Sequence, residues 1–137
     1  MDLSDREDVR KLGIWLGRIR AGVGVAYLIA PDRSARSWFG GKSSSPSQRG
    51  MSRAFAVREF TIGLGVAIAC AEGERGSDWL SIAGLTDAAD TALTVLQPGI
   101  PLRSKLMVLL TAPAAVVHYI VARKTHEIVE PKRAVEV

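Results

Sequence analysis

Six charged residues lie inside four long apolar stretches of this 137-residue chain. The stretches cover residues 12–30, 54–71, 79–97 and 106–122. The charges within them are Arg18, Arg20, Arg58, Glu59, Asp87 and Asp90, out of 32 charged residues in all. An ionised side chain at the centre of a membrane helix costs about 2.5 to 3.5 kcal/mol. Charges in such stretches therefore need ionic partners, a ligand or a proton.

Positions along the predicted helices bring opposite charges to one depth. Arg20 and Asp87 each lie eight residues past the start of their stretch, which is about 12 Å at the helical rise. Asp90 lies one turn further on the same face as Asp87. If all four stretches cross one layer, the first and third run parallel, and we expect Arg20 to pair with Asp87. Two alternatives stay open: Arg20 extends toward the nearer interface, or Arg18 takes Asp87. In the second case Arg20 turns to Asp90 or Glu59.

The second and fourth stretches bring three more ionisable groups toward this cluster. The second helix runs opposite to the first, so the depth of Arg58 and Glu59 is counted from the other side of the layer. Measured from the side where the first helix begins, that depth is about 20 Å. His118 lies about 6 Å from the side where the first helix begins. Such a cluster either fixes which helices are neighbours or binds a polar headgroup, an ion or a proton. Both interpretations remain open from the sequence.

Neither a catalytic motif nor a metal-binding motif accompanies the cluster in the sequence. Asp87-x-x-Asp90 offers two oxygens, but there is no Glu-x-x-His or His-x-x-x-His to complete a metal site. The serines lack a Gly-x-Ser-x-Gly elbow. The single Cys70 excludes an intramolecular disulfide. We therefore expect a non-enzymatic function, without catalytic or metal-ligating residues, and the sequence indicates no particular cofactor.

The elements that position these residues are predicted as four helices of one domain, residues 1–137. We expect an all-α, four-helix transmembrane bundle with helices over about 5–30, 53–71, 79–97 and 103–123, then a tail of residues 124–137. The nineteen residues of the first stretch are about 28 Å long, close to the roughly 30 Å of hydrocarbon in a bilayer. Between helices 1 and 2, residues 31–53 are rich in Pro, Gly, Ser and basic residues. They predict a long loop that is mobile over 42–50.

A soluble helical bundle is the alternative fold, because only residues 106–122 approach eighteen uncharged positions. Against it, Arg18 and Arg20 are the only charges in 12–30 and lie roughly 200° apart, which leaves no wide solvated face. Glycine also favours the membrane. Each glycine weakens a helix in water by about 1 kcal/mol, whereas in lipid the Gly13-x-x-x-Gly17 spacing permits close backbone approach.

The order of these features carries a resemblance to a known kind of protein. The residues that carry the resemblance are, in order, Arg20 and Gly22 before Pro31, then Arg58-Glu59-Phe60-Thr61-Ile62-Gly63-Leu64-Gly65, then Asp87 and Asp90. Over residues 12–122 this order resembles small, uncharacterised bacterial integral membrane proteins with four helices, which are distantly DoxX-like. The resemblance implies a compact four-helix membrane bundle without an established activity.

The sequence thus predicts a multipass protein of the cytoplasmic membrane that binds a lipid or small polar ligand, or serves as an accessory subunit. The residues expected to do this are Arg18, Arg20, Arg58, Glu59, Asp87, Asp90 and His118. Membrane lipids are the expected partners, together with a second copy or a larger membrane complex. Nucleic acid is not expected, because the basic residues lie mainly between the apolar stretches.

An alternative function is a redox or proton-handling membrane component, in which Asp87, Asp90, Glu59 and His118 form a relay. The orientation stays open under the positive-inside rule. Eight Lys and Arg residues flank the spans on the side of the termini and seven flank them on the other side.

Overall fold

The computed structural model describes residues 2–42, 44–99 and 101–130, and this part of the chain is all helical. Its helices are α1 (Arg6–Ile29), α2 (Pro31–Phe39), α3 (Pro46–Glu72), α4 (Gly76–Leu96), α5 (Leu102–Lys105) and α6 (Val108–Lys124), and a π-helical turn follows at Thr125–Val129. The described residues include no strand. The predicted all-α class is therefore confirmed.

Helices α1 and α3 pack against each other in opposite directions, with their backbones in contact. A Cβ atom on Gly17 would lie 2.6 Å from the carbonyl oxygen of Gly63, and one on Gly24 would lie 2.5 Å from the amide nitrogen of Phe60. Only glycine permits such an approach. The buried positions of α1 are Val9, Gly13, Gly17, Arg20 and Gly24, which recur every three or four residues and form one face. Gly22 lies outside this face, with nothing within 4 Å of its would-be Cβ.

Helices α4 and α6 form a second antiparallel pair. A Cβ on Gly84 would lie 3.2 Å from the Cβ of His118, and the hydroxyls of Thr91 and Thr111 are 2.7 Å apart further along. Helix α4 runs parallel to α1, because Leu80 lies beside the early part of α1 and Asp87 beside its later part. This matches the direction expected for the first and third apolar stretches. The apolar core between the pairs consists of Val66, Cys70, Leu80, Ala83, Val121 and Ala122.

The segment 31–53 is mostly helical, which corrects the prediction of a long loop. Pro31 is the first residue of α2, and Pro46 is the first residue of α3. Proline fits the first turn of a helix because the N–H that it lacks has no partner there. Ser45 caps α3 in a reciprocal capping box with Gln48, with distances of 3.2 and 2.8 Å. Residues 46–50, predicted to be mobile, are therefore the first turn of α3, whereas Ser43 lies outside the described residues.

The predicted helix bounds differ from the structure at other ends as well. Helix α1 is capped by Asp5, whose carboxylate accepts a hydrogen bond from the amide of Asp8 at 2.9 Å. The third predicted helix, 79–97, spans Gly76–Leu96. The fourth, 103–123, is divided into α5 and α6 by a turn before Val108. The break at Leu106 and Met107 falls within an apolar stretch, so apolar periodicity does not register it.

Residues 124–130 continue in contact with the helices where the sequence predicts a tail. Val129 is buried, and its carbonyl oxygen accepts a hydrogen bond from Nη2 of Arg6 at 3.3 Å. The carboxylate of Glu130 accepts hydrogen bonds from the amide and the hydroxyl of Ser77, at 3.2 and 2.5 Å. Charge density alone predicts a solvated tail, but the buried Thr125 and Val129 anchor this segment. Residues 131–137 of the predicted tail lie outside the described residues.

The outer surface of the long helices is apolar. Ile19, Leu85 and Leu109 expose 61%, 73% and 69% of their surface. Helices α1 and α3 are long and apolar enough to cross a membrane, with mean hydropathies of 1.3 and 1.6 over eighteen residues. A core helix of a soluble protein can pass the same test, but such a helix is mostly buried. In these eighteen-residue segments of α1 and α3, only 22% and 33% of the residues are buried inside this chain.

Candidate functional site

Six of the seven predicted residues meet between the helices and form one network, named here the charged cluster. Its members are Arg20 of α1, Arg58 and Glu59 of α3, Asp87 and Asp90 of α4, and His118 of α6. Four of them are buried: Arg20, Glu59 and Asp87 are 6% exposed and His118 is 4% exposed. The close contact of α1 with α3 brings these groups together, because glycines leave no side chains between the two backbones.

Arg20 lies at the centre of the charged cluster and joins two carboxylates from different helices. Its Nη1 donates to Oδ1 of Asp87 at 2.7 Å, and its Nη2 donates to Oε1 of Glu59 at 2.9 Å. The expected Arg20–Asp87 pair is therefore present, and Arg20 does not extend toward an interface. Arginine suits this position because its planar fork presents several donors in a fixed geometry. One side chain thus connects α1, α3 and α4.

His118 extends the charged cluster to α6. Its Nδ1 lies 2.9 Å from the carbonyl oxygen of Ala114 and 3.0 Å from Oδ2 of Asp87. Both neighbours accept hydrogen bonds, so Nδ1 carries the proton. Within the described residues, the buried Nε2 has no hydrogen-bond partner. His118 therefore contacts Asp87 and Ala114 through one ring nitrogen, Nδ1.

Arg58 and Asp90 form the outer edge of the charged cluster. Their bidentate contact joins Nη2 to Oδ2 at 2.5 Å and Nη1 to Oδ1 at 3.2 Å. Nη2 of Arg58 also lies 3.3 Å from the Glu59 oxygen that Arg20 binds. The Arg58 side chain is 37% exposed, and its guanidinium lies 4.7 Å from the ring centroid of Phe55. The charged cluster therefore runs from a buried histidine to a half-exposed arginine.

A groove borders this outer edge between α2, α3 and α4. It has a volume of about 180 Å³. Its lining consists of Trp38, Phe39, Met51, Ser52, Phe55, Asp90, Leu93 and Thr94. The ring of Trp38 lies 5.5 Å from that of Phe55. An apolar, aromatic groove with one polar edge is a shape that suits an amphiphilic ligand.

Arg18 lies outside the charged cluster, unlike the other six predicted residues. It is exposed, and its guanidinium lies 5.5 Å from the ring of Trp15. The cause is its position two residues before Arg20, which turns it to the far side of the helix. That angle is readable in the sequence, and it already separates the two arginines.

Sequence reasoning missed two features, the contact that caps α4 and the groove. Glu130 caps the start of α4 through Ser77, where the local cap residue, Arg75, makes no side-chain capping hydrogen bond to a backbone amide within the described residues. The groove was missed because helix α2, which supplies Trp38, falls in the segment predicted as loop. The capping-box sequence Ser45-Pro46-Ser47-Gln48 and the proline at position 31 are the local signals that identify these helices.

The charged cluster contains two guanidinium groups and three carboxylates, so fixed charges leave one negative charge in excess. No group of three or more His, Cys, Asp or Glu residues is arranged to hold a metal ion in the part of the chain described. Comparisons of the chain with protein-family models, curated proteins and solved structures give no match. The DoxX-like resemblance stays a prediction from the residues that carry it.

Proposed function

We propose that this chain is a multipass integral membrane protein of the cytoplasmic membrane that binds an amphiphilic ligand and has no enzymatic activity. Its four long helices, α1, α3, α4 and α6, would form the transmembrane bundle. The observation that carries the proposal is the inverted distribution of polarity. Ionisable side chains lie between the helices, whereas large apolar side chains cover the outside.

This distribution is unfavourable in water and favourable in lipid. Soluble monomers rarely expose contiguous apolar patches larger than a few hundred square ångströms. The exposed apolar residues here recur along all four long helices, for example Ile19, Ile68, Leu85 and Leu109. In a bilayer, helices associate instead through small residues and internal polar contacts. The glycine contacts of α1 with α3 and the charged cluster are contacts of these two kinds.

The ligand site of the proposal is the groove beside Arg58 and Asp90. Arg20, Glu59 and Asp87 are enclosed and bind one another, which supports a role in holding helices together. Arg58 and Asp90 are the part of the charged cluster that a ligand can reach, because Arg58 is 37% exposed and Asp90 lines the groove. The two interpretations of the charges thus apply to different residues: the inner ones support the fold, and the outer pair meets the ligand.

Alkaline carbonate extraction of membranes from expressing cells tests the membrane proposal. We expect the protein to remain in the pellet and to be released only by detergent, because its apolar exterior has no other cover. A known peripheral protein in the same sample provides the control. Release by carbonate together with that control would contradict membrane insertion and support the soluble helical bundle.

Proton handling is a second candidate, and one observation favours it. The buried Nε2 of His118 has no hydrogen-bond partner among the described residues, and Nδ1 is 3.0 Å from Oδ2 of Asp87. A proton on Nε2 would balance the excess negative charge of the charged cluster. Proteoliposomes with an enclosed pH-sensitive dye would test this: wild-type protein should dissipate an imposed pH gradient, and His118→Gln should not. Equal rates for the two proteins, or a rate equal to that of empty vesicles, would exclude this function.

A further inference from the structure

The two ends of the helices differ strongly in charge. At the end formed by α2 and the start of α3, residues 31–53 contain the cations Arg33, Arg36, Lys42, Arg49 and Arg53 and the single anion Asp32. The opposite end comprises residues 2–11, 72–78 and 123–130, which are joined by contacts such as Arg10 with the Ala71 carbonyl. It contains six basic and nine acidic residues. One end is therefore basic and the other acidic.

Helix α2 presents its basic residues away from the protein. Ser34 and Ala35 are buried against α3, where the hydroxyl of Ser52 donates to that of Ser34 at 2.5 Å. Arg33 lies on the exposed side of the helix. The buried face of α2 is thus used for packing on α3, and Arg33 is left on the outside, where lipid headgroups would lie if this end meets a membrane surface.

The basic residues of this end fall into two groups by their contacts. Arg36 and Arg49 donate hydrogen bonds to the carbonyl oxygens of Lys42 and Ser44, and so hold the connection between α2 and α3. Arg33 and Arg53 are exposed and form no ion pair within the described residues. Their charges are therefore available to an anion outside the protein.

The groove lies beneath this basic end, and a tryptophan with an unpaired donor forms part of its wall. Trp38 lines the groove, and its buried Nε1 has no hydrogen-bond partner in the described part of the chain. A buried tryptophan N–H normally finds an acceptor. The remaining lining is largely apolar, with Phe39, Phe55 and Leu93. The site thus combines an apolar groove that fits part of an acyl chain with free cations nearby.

We propose that this end of the protein binds an anionic phospholipid. Part of one acyl chain lies in the groove against Trp38 and Phe55, and the exposed Arg33 and Arg53 attract the negative headgroup. The occupant follows from charge complementarity: basic residues near an anionic membrane surface each contribute about a factor of five in affinity. The inference rests on the proposed membrane insertion and specifies the ligand of the same groove.

Native mass spectrometry of the full chain in detergent tests this proposal. The probes are phosphatidylglycerol and phosphatidylcholine with identical acyl chains, added at equal concentrations. We expect one phosphatidylglycerol per protein, with a preference of about tenfold or more over phosphatidylcholine. The double variant Arg33→Gln/Arg53→Gln should lose that preference. The matched control, Arg123→Gln/Lys124→Gln, removes two cations from the opposite end and should keep it.

A second variant separates the groove from the headgroup contacts. Trp38→Ala removes an aromatic side chain that lines the groove, so retention of both lipids should fall while the preference remains. Equal binding of the two lipids to wild type would overturn the proposal. An equal loss of the preference in the two double variants would also overturn the proposal, since the net positive charge of the protein would then explain the binding. Carbonate extraction tests membrane insertion separately. A protein that stays in the membrane pellet but does not prefer phosphatidylglycerol would therefore contradict the lipid proposal alone.

Discussion

Two buried interfaces of this protein achieve close packing by opposite means. Where α1 meets α3, Gly17, Gly24 and Gly63 bring backbones together and leave no room for another atom. Where α1 and α3 meet α4 and α6, the charged cluster fills the space with long ionised side chains. The first interface depends on size and the second on charge balance. Substitutions that alter one property at a time should therefore affect the two interfaces differently.

The largest expected effect is in the charged cluster, at Arg20. Arg20→Leu leaves one guanidinium against three carboxylates and removes the contacts to both Asp87 and Glu59. Removing one partner from buried ion pairs typically costs about 3 to 5 kcal/mol. Thermal unfolding in detergent should show this loss. Arg18→Leu, two residues away on the exposed side, is the matched control and should change the melting temperature little.

The same network predicts an asymmetry between Arg20 and Asp87. Asp87→Asn leaves two guanidinium groups and two carboxylates, which balances the fixed charges, so we expect it to cost clearly less than Arg20→Leu. Adding Asp87→Asn to Arg20→Leu should recover part of the loss, because it removes one unpaired carboxylate. Simple addition of the two effects would show that these residues do not act as partners.

The glycine interface should show a smaller effect that depends only on size. The methyl group of Gly17→Ala would lie 2.5 Å from the amide nitrogen of Ala67, a backbone atom that cannot turn aside. Overpacking of this kind costs about 1 to 3 kcal/mol. Gly22→Ala is the control on the same helix, because nothing lies within 4 Å of that position. If both variants unfold at the wild-type temperature, α1 and α3 do not meet through their backbones.

The smallest expected effect concerns the start of α4, outside both interfaces. Glu130→Ala removes the acceptor for the Ser77 amide, and loss of a helix cap costs about 0.5 to 2 kcal/mol. Faster hydrogen exchange at the first turn of α4 should report it. Glu127→Ala, which removes an exposed carboxylate from the same segment, should leave that exchange unchanged. An unchanged rate in Glu130→Ala would argue against the cap.

The sequence predicts the charged interface better than it predicts the surrounding helices. Arg20 and Asp87 could be paired from depth alone, because helical rise and parallel direction fix where each residue lies. The long-loop prediction misses helix α2, because a segment rich in Pro, Gly and Ser indicates a loop although proline also begins helices. The contact of Glu130 with Ser77 joins residues 53 positions apart, and local pattern contains no trace of it. Local rules thus succeed where geometry is regular and fail where tertiary contacts decide.

The central claim is that the apolar exterior of the helices faces lipid, and spin-label accessibility tests it most directly. Single labels at Leu85→Cys and Leu109→Cys, in a Cys70→Ala background, would be measured in lipid nanodiscs, with Ser47→Cys at the exposed start of α3 as the control. Both helix labels should collide readily with dissolved oxygen and hardly with a water-soluble nickel complex, whereas the Ser47 label should show the reverse. Strong collision of the Leu85 and Leu109 labels with the nickel complex would place these surfaces in water and contradict the account.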